Sequence, residues 1–467
     1  MTSVHGQASV SSPPARPGGV YGAAGAVGPT SSATVYGSAA AYGGPRPGAG
    51  PAAMPPRPPR KPGVLFGIPA VHLLAWQLAI AGVLAAMGQG IVPLAVAGLL
   101  ALIVFLLTAV RLQRKWLYQY LAARISYTMR NKIAQPAPYV DPRSALLDFL
   151  APATLVTSVE VDGQGVGVVE HAAGVTALLE LGPMDAGLVS EATTRLPNPA
   201  TLLPPADPNS PPLTLQLLIQ ASPAPALTVG GGAAATSYRQ LTEGLIPASR
   251  RAWIAIRLGR EGTTHSDADL RQALGSAARR LGRRLHQDQV LARTLDREEV
   301  LAAVGLLAHL PPGSHPVRGS AAVGSVGVAS VSAASPGPIG YETWGAWWSG
   351  ETAQTTLSLH KWPDPRTEAG KHVLTTALAA PGMATTVSLA ARRVDVRPAD
   401  LPGGDAEPEL VAVEMGIRLA APTPALLGGA VSALTSSLKA SGAGVDRLGG
   451  SQAAGLAATL PFGGFLK

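Results

Sequence analysis

Two short patterns in this chain have residue types that could do chemistry. Asp267-Ala268-Asp269 is a D-x-D string, the arrangement with which glycosyltransferases hold a metal-bound sugar nucleotide. The same pair stands where an apolar periodicity begins, and helix capping with dipole complementarity accounts for both carboxylates. Gly163-x-Gly165-x-Gly167 is a glycine string, but it lies between two strand-like segments. A phosphate-cradling loop must lead into a helix N-terminus, so the string reads as a hairpin turn. His171, His265, His286, His309, His315, His360 and His372 show no H-x-x-x-H or H-E-x-x-H spacing, and no G-x-S-x-G or Walker sequence occurs. Cysteine is absent, which removes disulfides, thiolate metal sites and a cysteine nucleophile together. The expectation is no catalytic residue, no cofactor site and no metal site.

Two other clusters have the character of contact surfaces. Arg279, Arg280, Arg283 and Arg284 form a double i,i+4 stripe beside an apolar stripe, a surface suited to an acidic partner. A solvated helix face is the plainer reading of the same residues. Trp344, Trp347, Trp348 and Trp362 hold four of the seven tryptophans and could anchor an interface or pack over a sheet.

The elements that must position these residues follow from periodicity. Val156–Val161, Gly165–Glu170 and Val175–Leu181 read as a meander turning at Asp162-Gly163 and Ala173-Gly174. A helix at Met184–Arg195 and strands at Leu213–Gln220 and Ala252–Leu258 come next. Leu270, Leu274, Ala277, Leu281 and Leu285 step by three or four, predicting a helix from Ser266 to about Gln287. A second helix spans Asp296 to His309. Residues 311–340 read as a low-complexity loop of Gly, Ser, Ala and Pro. Thr355–His360, Thr385–Arg393 and Glu409–Leu419 return to strand character, Ala425–Lys439 is helical, and a Gly-rich tail closes the chain. This order of strands and helices predicts an α/β or α+β domain over residues 146–467, a mixed sheet with flanking helices.

Residues 1–62 hold Gly, Pro, Ala and Ser with no acid, and cannot bury enough apolar surface to order themselves. Residues 64–86 and 91–110 are apolar, each near the length that crosses a hydrocarbon core, with only Met87-Gly88-Gln89-Gly90 between them. They predict a two-helix transmembrane hairpin. Arg57, Arg60 and Lys61 precede it, while Arg111, Arg114 and Lys115 follow it, which places both termini in the cytoplasm. Residues 111–134 read as a basic-aromatic helix running on from the membrane. Arg111, Arg114, Lys115, Trp116 and Tyr118 are its membrane-interface residues, with Tyr120 and Tyr127 further along and anionic lipid headgroups as partners. Eleven of the 36 Lys and Arg lie at or before Lys132, where there is no acid, and the other 25 face all 28 Asp and Glu. The basicity therefore flanks the apolar segments, whereas a nucleic-acid binder would carry it on its folded domain.

A disordered start, a hairpin with almost no loop, and Arg114-Lys115-Trp116-Leu117 through Arg124 together resemble EccE, the type VII secretion membrane component of actinobacteria. Val159-Glu160-Val161-Asp162 followed by Gly165-Val166-Gly167-Val168 is similar to that family's first strands. Tyr238-Arg239-Gln240-Leu241 leading to Ala252-Trp253-Ile254-Ala255-Ile256-Arg257 matches too. So do the arginine-rich helix, Leu295-Asp296-Arg297-Glu298-Glu299, and the terminal Leu460-Pro461-Phe462-Gly463-Gly464. The resemblance covers residues 64–464, carried by the order of short motifs, and the long tail and the 311–340 insert depart from it. It implies a non-enzymatic, multi-pass inner-membrane subunit. Its soluble part would face the cytoplasm in a hetero-oligomeric complex with other type VII components, including an FtsK/SpoIIIE-like ATPase. The competing expectation is a membrane-anchored glycosyltransferase-like enzyme built on Asp267 and Asp269. A sensor is a third, and the four-residue turn leaves it no external ligand domain.

Overall fold

The computed structural model describes residues 64–65, 68–112, 115–135, 140–161, 163–182, 196–205, 210–223, 247–260, 266–310, 337–364, 367–394 and 410–465. The tail 1–62, the helix expected at Met184–Arg195, the Tyr238–Leu241 motif, residues 311–336 and Arg114 lie outside them.

A short pair, β1 (Val64–Leu65) and β2 (Ile68–Pro69), leads into α1 (Ala70–Ala86) and α2 (Ile91–Ala109). The first apolar helix thus starts at Ala70 rather than at residue 64: Pro69 has no amide for a helix begun earlier, and it sits where helices start. The segment after α2 also differs from the expected continuous helix. β3 (Arg111–Leu112) pairs with β4 (Lys115–Trp116), and only then does α3 (Leu117–Met129) begin.

After β5 (Ile133–Ala134) and α4 (Pro142–Leu150) come the expected meander β6 (Leu155–Val161), β7 (Gln164–His171) and β8 (Gly174–Leu181). Next are α5 (Pro199–Leu202), β9 (Leu213–Pro223), β10 (Pro247–Gly259), α6 (Asp267–Gln287), β11 (Ala292–Thr294) and α7 (Arg297–Leu307). The second run is β12 (Gly340–Glu342), β13 (Trp347–Ser349), β14 (Thr352–Lys361), α8 (Glu368–Lys371), α9 (Val373–Leu378), β15 (Ala384–Arg393), β16 (Val411–Ala421), α10 (Pro424–Ala440), β17 (Gly444–Arg447) and α11 (Gln452–Ala458). The loop expected to reach residue 340 stops short of it, because Ile339 is buried and Gly340 pairs with Ala134.

Thirteen strands form one sheet, ordered β5-β12-β13-β14-β16-β15-β9-β10-β8-β7-β6, with β11 beside β8 and β17 beside β14. Every pairing in it is antiparallel, so the expected mixed sheet is corrected to an antiparallel one of α+β type. Helices cover both faces. Leu215, Leu217 and Ile219 join the core with α6 and α10, whereas Leu218 joins that with α4, α7 and α11. Burial on both faces is why these strands read as nearly continuous apolar runs.

The ladders reveal an internal duplication. Leu218 pairs with Ser388 at the centre, and outward from it β9–β10–β8 mirrors β15–β16–β14. Thr176 lies between Val169 and Arg257, as Gln354 lies between Trp347 and Ala420. Val290 donates its amide to Leu285 O as α6 ends, and Ala443 donates to Leu438 O as α10 ends. The same step maps Leu274, Ala277, Leu281 and Leu285 onto Leu427, Ala430, Leu434 and Leu438, all buried.

The helices α7 and α11 end against the middle of the sheet, where their last carbonyls need buried donors. Arg418 donates to Leu307 O at 2.6 Å, Gln354 to Ala308 O at 2.9 Å and Gln220 to Leu306 O at 3.3 Å. At the end of α11, Ala458 O accepts from Gln216 at 2.9 Å and from Ser388 at 2.8 Å. Replacing Arg418 by Ala should lower unfolding stability by about 3 kcal/mol, through a cavity plus unpaired carbonyls. Urea denaturation in mild detergent measures it, and a loss below about 1 kcal/mol would contradict this account.

Candidate functional site

The helix α2 carries no buried residue, and Ile91 and Val92 are 84% and 70% exposed. Its 19 residues have a mean hydropathy of 2.8, making it the one helix long and apolar enough to cross a membrane among the described residues. The shorter α1 packs against it. Trp76 Nε1 donates to Thr108 Oγ1 at 2.7 Å, and Thr108 donates on to Val104 O, so neither polar group is spent on the apolar surroundings.

A joint links this pair to the sheet. Trp116 and Tyr118 set their rings edge-on to His72 of α1, with centroids 4.6 and 5.5 Å away. One side of α3 then converges on Trp344: Tyr120 at 5.8 Å, Tyr127 at 5.3 Å and the Arg124 guanidinium at 4.7 Å from the ring. Gly450, at φ 73, lies under that ring, where a Cβ would come within 2.5 Å of it. Beyond α3, Arg130 reaches Glu342 and the Gly450 carbonyl. The other Glu342 oxygen accepts from the Ala453 amide at 3.1 Å, in the first turn of α11, where the helix dipole favours a carboxylate. Glu342 thus ties α3, the β12 edge and α11 into one network.

These positions differ from several expectations. Tyr120 and Tyr127 meet Trp344 of the sheet domain. Trp347 is 1% exposed in the core, with its Nε1 donating to Ser349, which leaves it no surface for a partner. Trp348 is half-buried and stacks on Tyr341 with an interplanar angle of 7°. The four tryptophans therefore act separately, Trp347 and Trp348 within the sheet, Trp344 in the joint and Trp362 packed part-buried against the core. The main chain of Arg111 and Lys115 forms the small hairpin before α3.

The arginine stripe is exposed as expected, on the side of α6 opposite Leu274 and Leu281. Arg279, Arg280 and Arg283 line a cleft of about 990 Å³ with Val161, Gln164 and Arg293. It opens where the β6–β7 tip separates from β11, because β8 pairs with β7 along its first half and with β11 along its second.

The patterns that suggested catalysis have structural duties. Ser266 and Asp269 form a reciprocal capping box, and Asp267 pairs with Arg260 at 2.8 Å. Gly167 passes close to α7, where a Cβ would sit 2.5 Å from Asp296 O. No cluster of three or more His, Asp or Glu suited to a metal occurs among the described residues. The closing segment is core rather than tail: Leu460 is fully buried and Gly463 donates its amide to Gln216 Oε1. The sequence reading missed Arg130 and Glu342, and an acid beside Trp344 in an otherwise polar-poor stretch is the one signal that marked them. No family model matches the chain, and no curated protein matches its sequence.

His171 is buried against Phe462, with Ala173 donating to its Nδ1 at 3.3 Å. Burial, with Arg257 and Arg260 nearby, pushes its pKa down from 6.5 to about 4. The unfolded chain then holds the proton more readily, so stability is complete above 6.5 and drains away as the pH falls toward 4. Between pH 6.5 and 5 the cost should approach about 2 kcal/mol. His171→Gln should flatten that part of the urea-midpoint profile, and an unchanged slope would remove the assignment.

The joint makes its own prediction. Trp344→Ala should speed amide exchange in residues 117–129 by roughly tenfold or more, with β9 and β15 still protected. Unchanged exchange in α3, or equal loosening of the whole sheet, would rule out a local latch.

Proposed function

We propose that this chain is a membrane-anchored structural subunit that docks a cytoplasmic domain onto other members of an inner-membrane protein complex. The observation that carries the proposal is the exposed apolar α2, joined with α1 through α3 and the Trp344–Glu342 latch to a rigid two-faced sheet. An apolar surface of that length needs lipid or protein around it. With α1 packed against it and a short turn between them, the pair would enter the bilayer as a hairpin. The basic residues before and after it would keep both termini in the cytoplasm.

The order of sequence motifs makes a type VII secretion complex our choice of assembly. The partners would be its other membrane components, including the FtsK/SpoIIIE-like ATPase, with anionic headgroups meeting the segment around Arg111, Arg114 and Lys115. Buried polar side chains such as Gln216, Gln354 and Arg418 are engaged at helix ends, which supports a scaffolding duty. Asp267 and Asp269 are held in a cap and an ion pair, so the glycosyltransferase alternative has no supporting geometry.

Affinity purification of the full chain from native membranes in mild detergent tests the proposal. The expected result is co-elution of the ATPase and the other membrane subunits, lost when α1 and α2 are deleted. A chain that elutes alone as a monomer overturns it.

A further inference from the structure

The duplication supplies an internal control for the basic cleft. Each half builds the same long helix over the same strands, so residues demanded by the fold should recur in both. The apolar stripe recurs, as Leu274, Ala277, Leu281 and Leu285 in α6 and Leu427, Ala430, Leu434 and Leu438 in α10. The arginines do not. Arg279, Arg280, Arg283 and Arg284 correspond to Ser432, Ala433, Ser436 and Ser437, which are equally exposed. Across the cleft, Arg293 on β11 corresponds to Asp446 on β17, where even the sign of the charge is reversed. A solvated face has no need of this asymmetry. The second half folds without a single arginine on that helix.

The two sides of the cleft also differ in how their charge is met among the described residues. Arg293 is neutralised by Glu180 and Glu299, and Arg279 contacts Ser276. Arg280, Arg283 and Arg284 pair with no carboxylate among the described residues. The described residues of the cleft lining include no acid. From Arg279 to Arg284 the stripe advances about 7 Å along the helix axis. Guanidinium groups strung out in this way suit successive carboxylates of an extended chain better than one compact phosphate, which needs converging donors.

The corresponding end of the second half carries a contact of its own. Trp344, in the turn between β12 and β13, stands three residues before Trp347, the same offset that separates Val166 from Val169 within β7. Trp344 receives α3, whereas Val166 lines the open cleft. Eight strand spacings lie between β12 and β7, roughly 38 Å of sheet, so the two contacts can be occupied together.

We infer that the cleft between α6 and the β6–β7 tip binds an acidic, extended segment of a partner protein. This does not depend on which complex the chain joins. The test places a photoreactive p-benzoylphenylalanine at Gly282, where an added Cβ meets nothing within 4 Å, in the full chain in native membranes. The same residue at Thr435, its counterpart on α10, is the control. The expected result is a light-dependent adduct at position 282 whose cross-linked peptide, once sequenced, is rich in Asp and Glu. The paired substitution Arg280→Glu with Arg283→Glu should cut the adduct roughly tenfold, as should about 0.5 M salt. Because both arginines are exposed, Arg280→Gln with Arg283→Gln serves as a milder pair, with an unchanged thermal midpoint as the folding check. An adduct to lipid or nucleic acid overturns the inference. So do a cross-linked segment without acids, equal labelling at position 435, no adduct at 282, or labelling indifferent to charge reversal.

Discussion

A helix that ends inside a protein presents carbonyls that water cannot reach, and this fold has two of them ending against the centre of its sheet. The answer to that constraint organises the molecule. The end of α7 takes its donors from Arg418 on β16, Gln354 on β14 and Gln220 on β9. The end of α11 takes them from Gln216 on β9 and Ser388 on β15. Most of these bonds cross from one half of the duplication to the other. Among the described residues no carboxylate lies beside Arg418, and burial pulls its pKa down to about 9, still well above neutral pH. It is tolerated because a helix C-terminus is itself a partial negative charge. The polar side chains of the sheet thereby bind the halves together, with two apolar faces packed around them.

Duplication explains where the sequence is free to diverge. Interior positions that face their own half keep the same character, as the α6 and α10 stripes show. Positions that meet something outside their half differ sharply. Ala255 occupies the register place of Arg418, and only the latter faces the α7 terminus. The α6 arginines and their serine and alanine counterparts follow the same pattern, so difference between the halves marks contact.

Much of this was legible in the sequence where one physical rule acts alone. Period-two and period-three-to-four patterns located β6 to β10, α6, α7 and α10 closely, because burial dictates them locally. The capping box at Ser266 and Asp269 followed from spacing in the same way. What was not legible depends on distant partners. The short helices α8, α9 and α11 have too few turns to show a period. The closing Leu460–Gly464 stretch looks like a flexible tail by composition, yet its glycines let the backbone lie close to Gln216 and Ala390. The Trp cluster looked like one surface because its members are close in sequence, while strand alternation sends Trp347 and Trp348 to opposite faces. The repeated Leu-Ala-Leu-Leu spacing of α6 and α10 was present throughout, but only the ladders gave it meaning.

The joint raises a question of mechanics that its chemistry answers. An anchor linked to a domain by a flexible connector would localise it without orienting it. Here α3 is held from both sides, by His72 near its start and by Trp344 along its length, and Arg130 closes the far end on a buried Glu342. That carboxylate is shared with the first turn of α11, whose other end is capped from the centre of the sheet. A displacement of the helix pair therefore has a continuous path of ring contacts, an ion pair and a short helix to the axis of the duplication. Orientation of the sheet relative to the helix pair is what such an arrangement secures, and the docking role proposed above would need that more than it needs tethering.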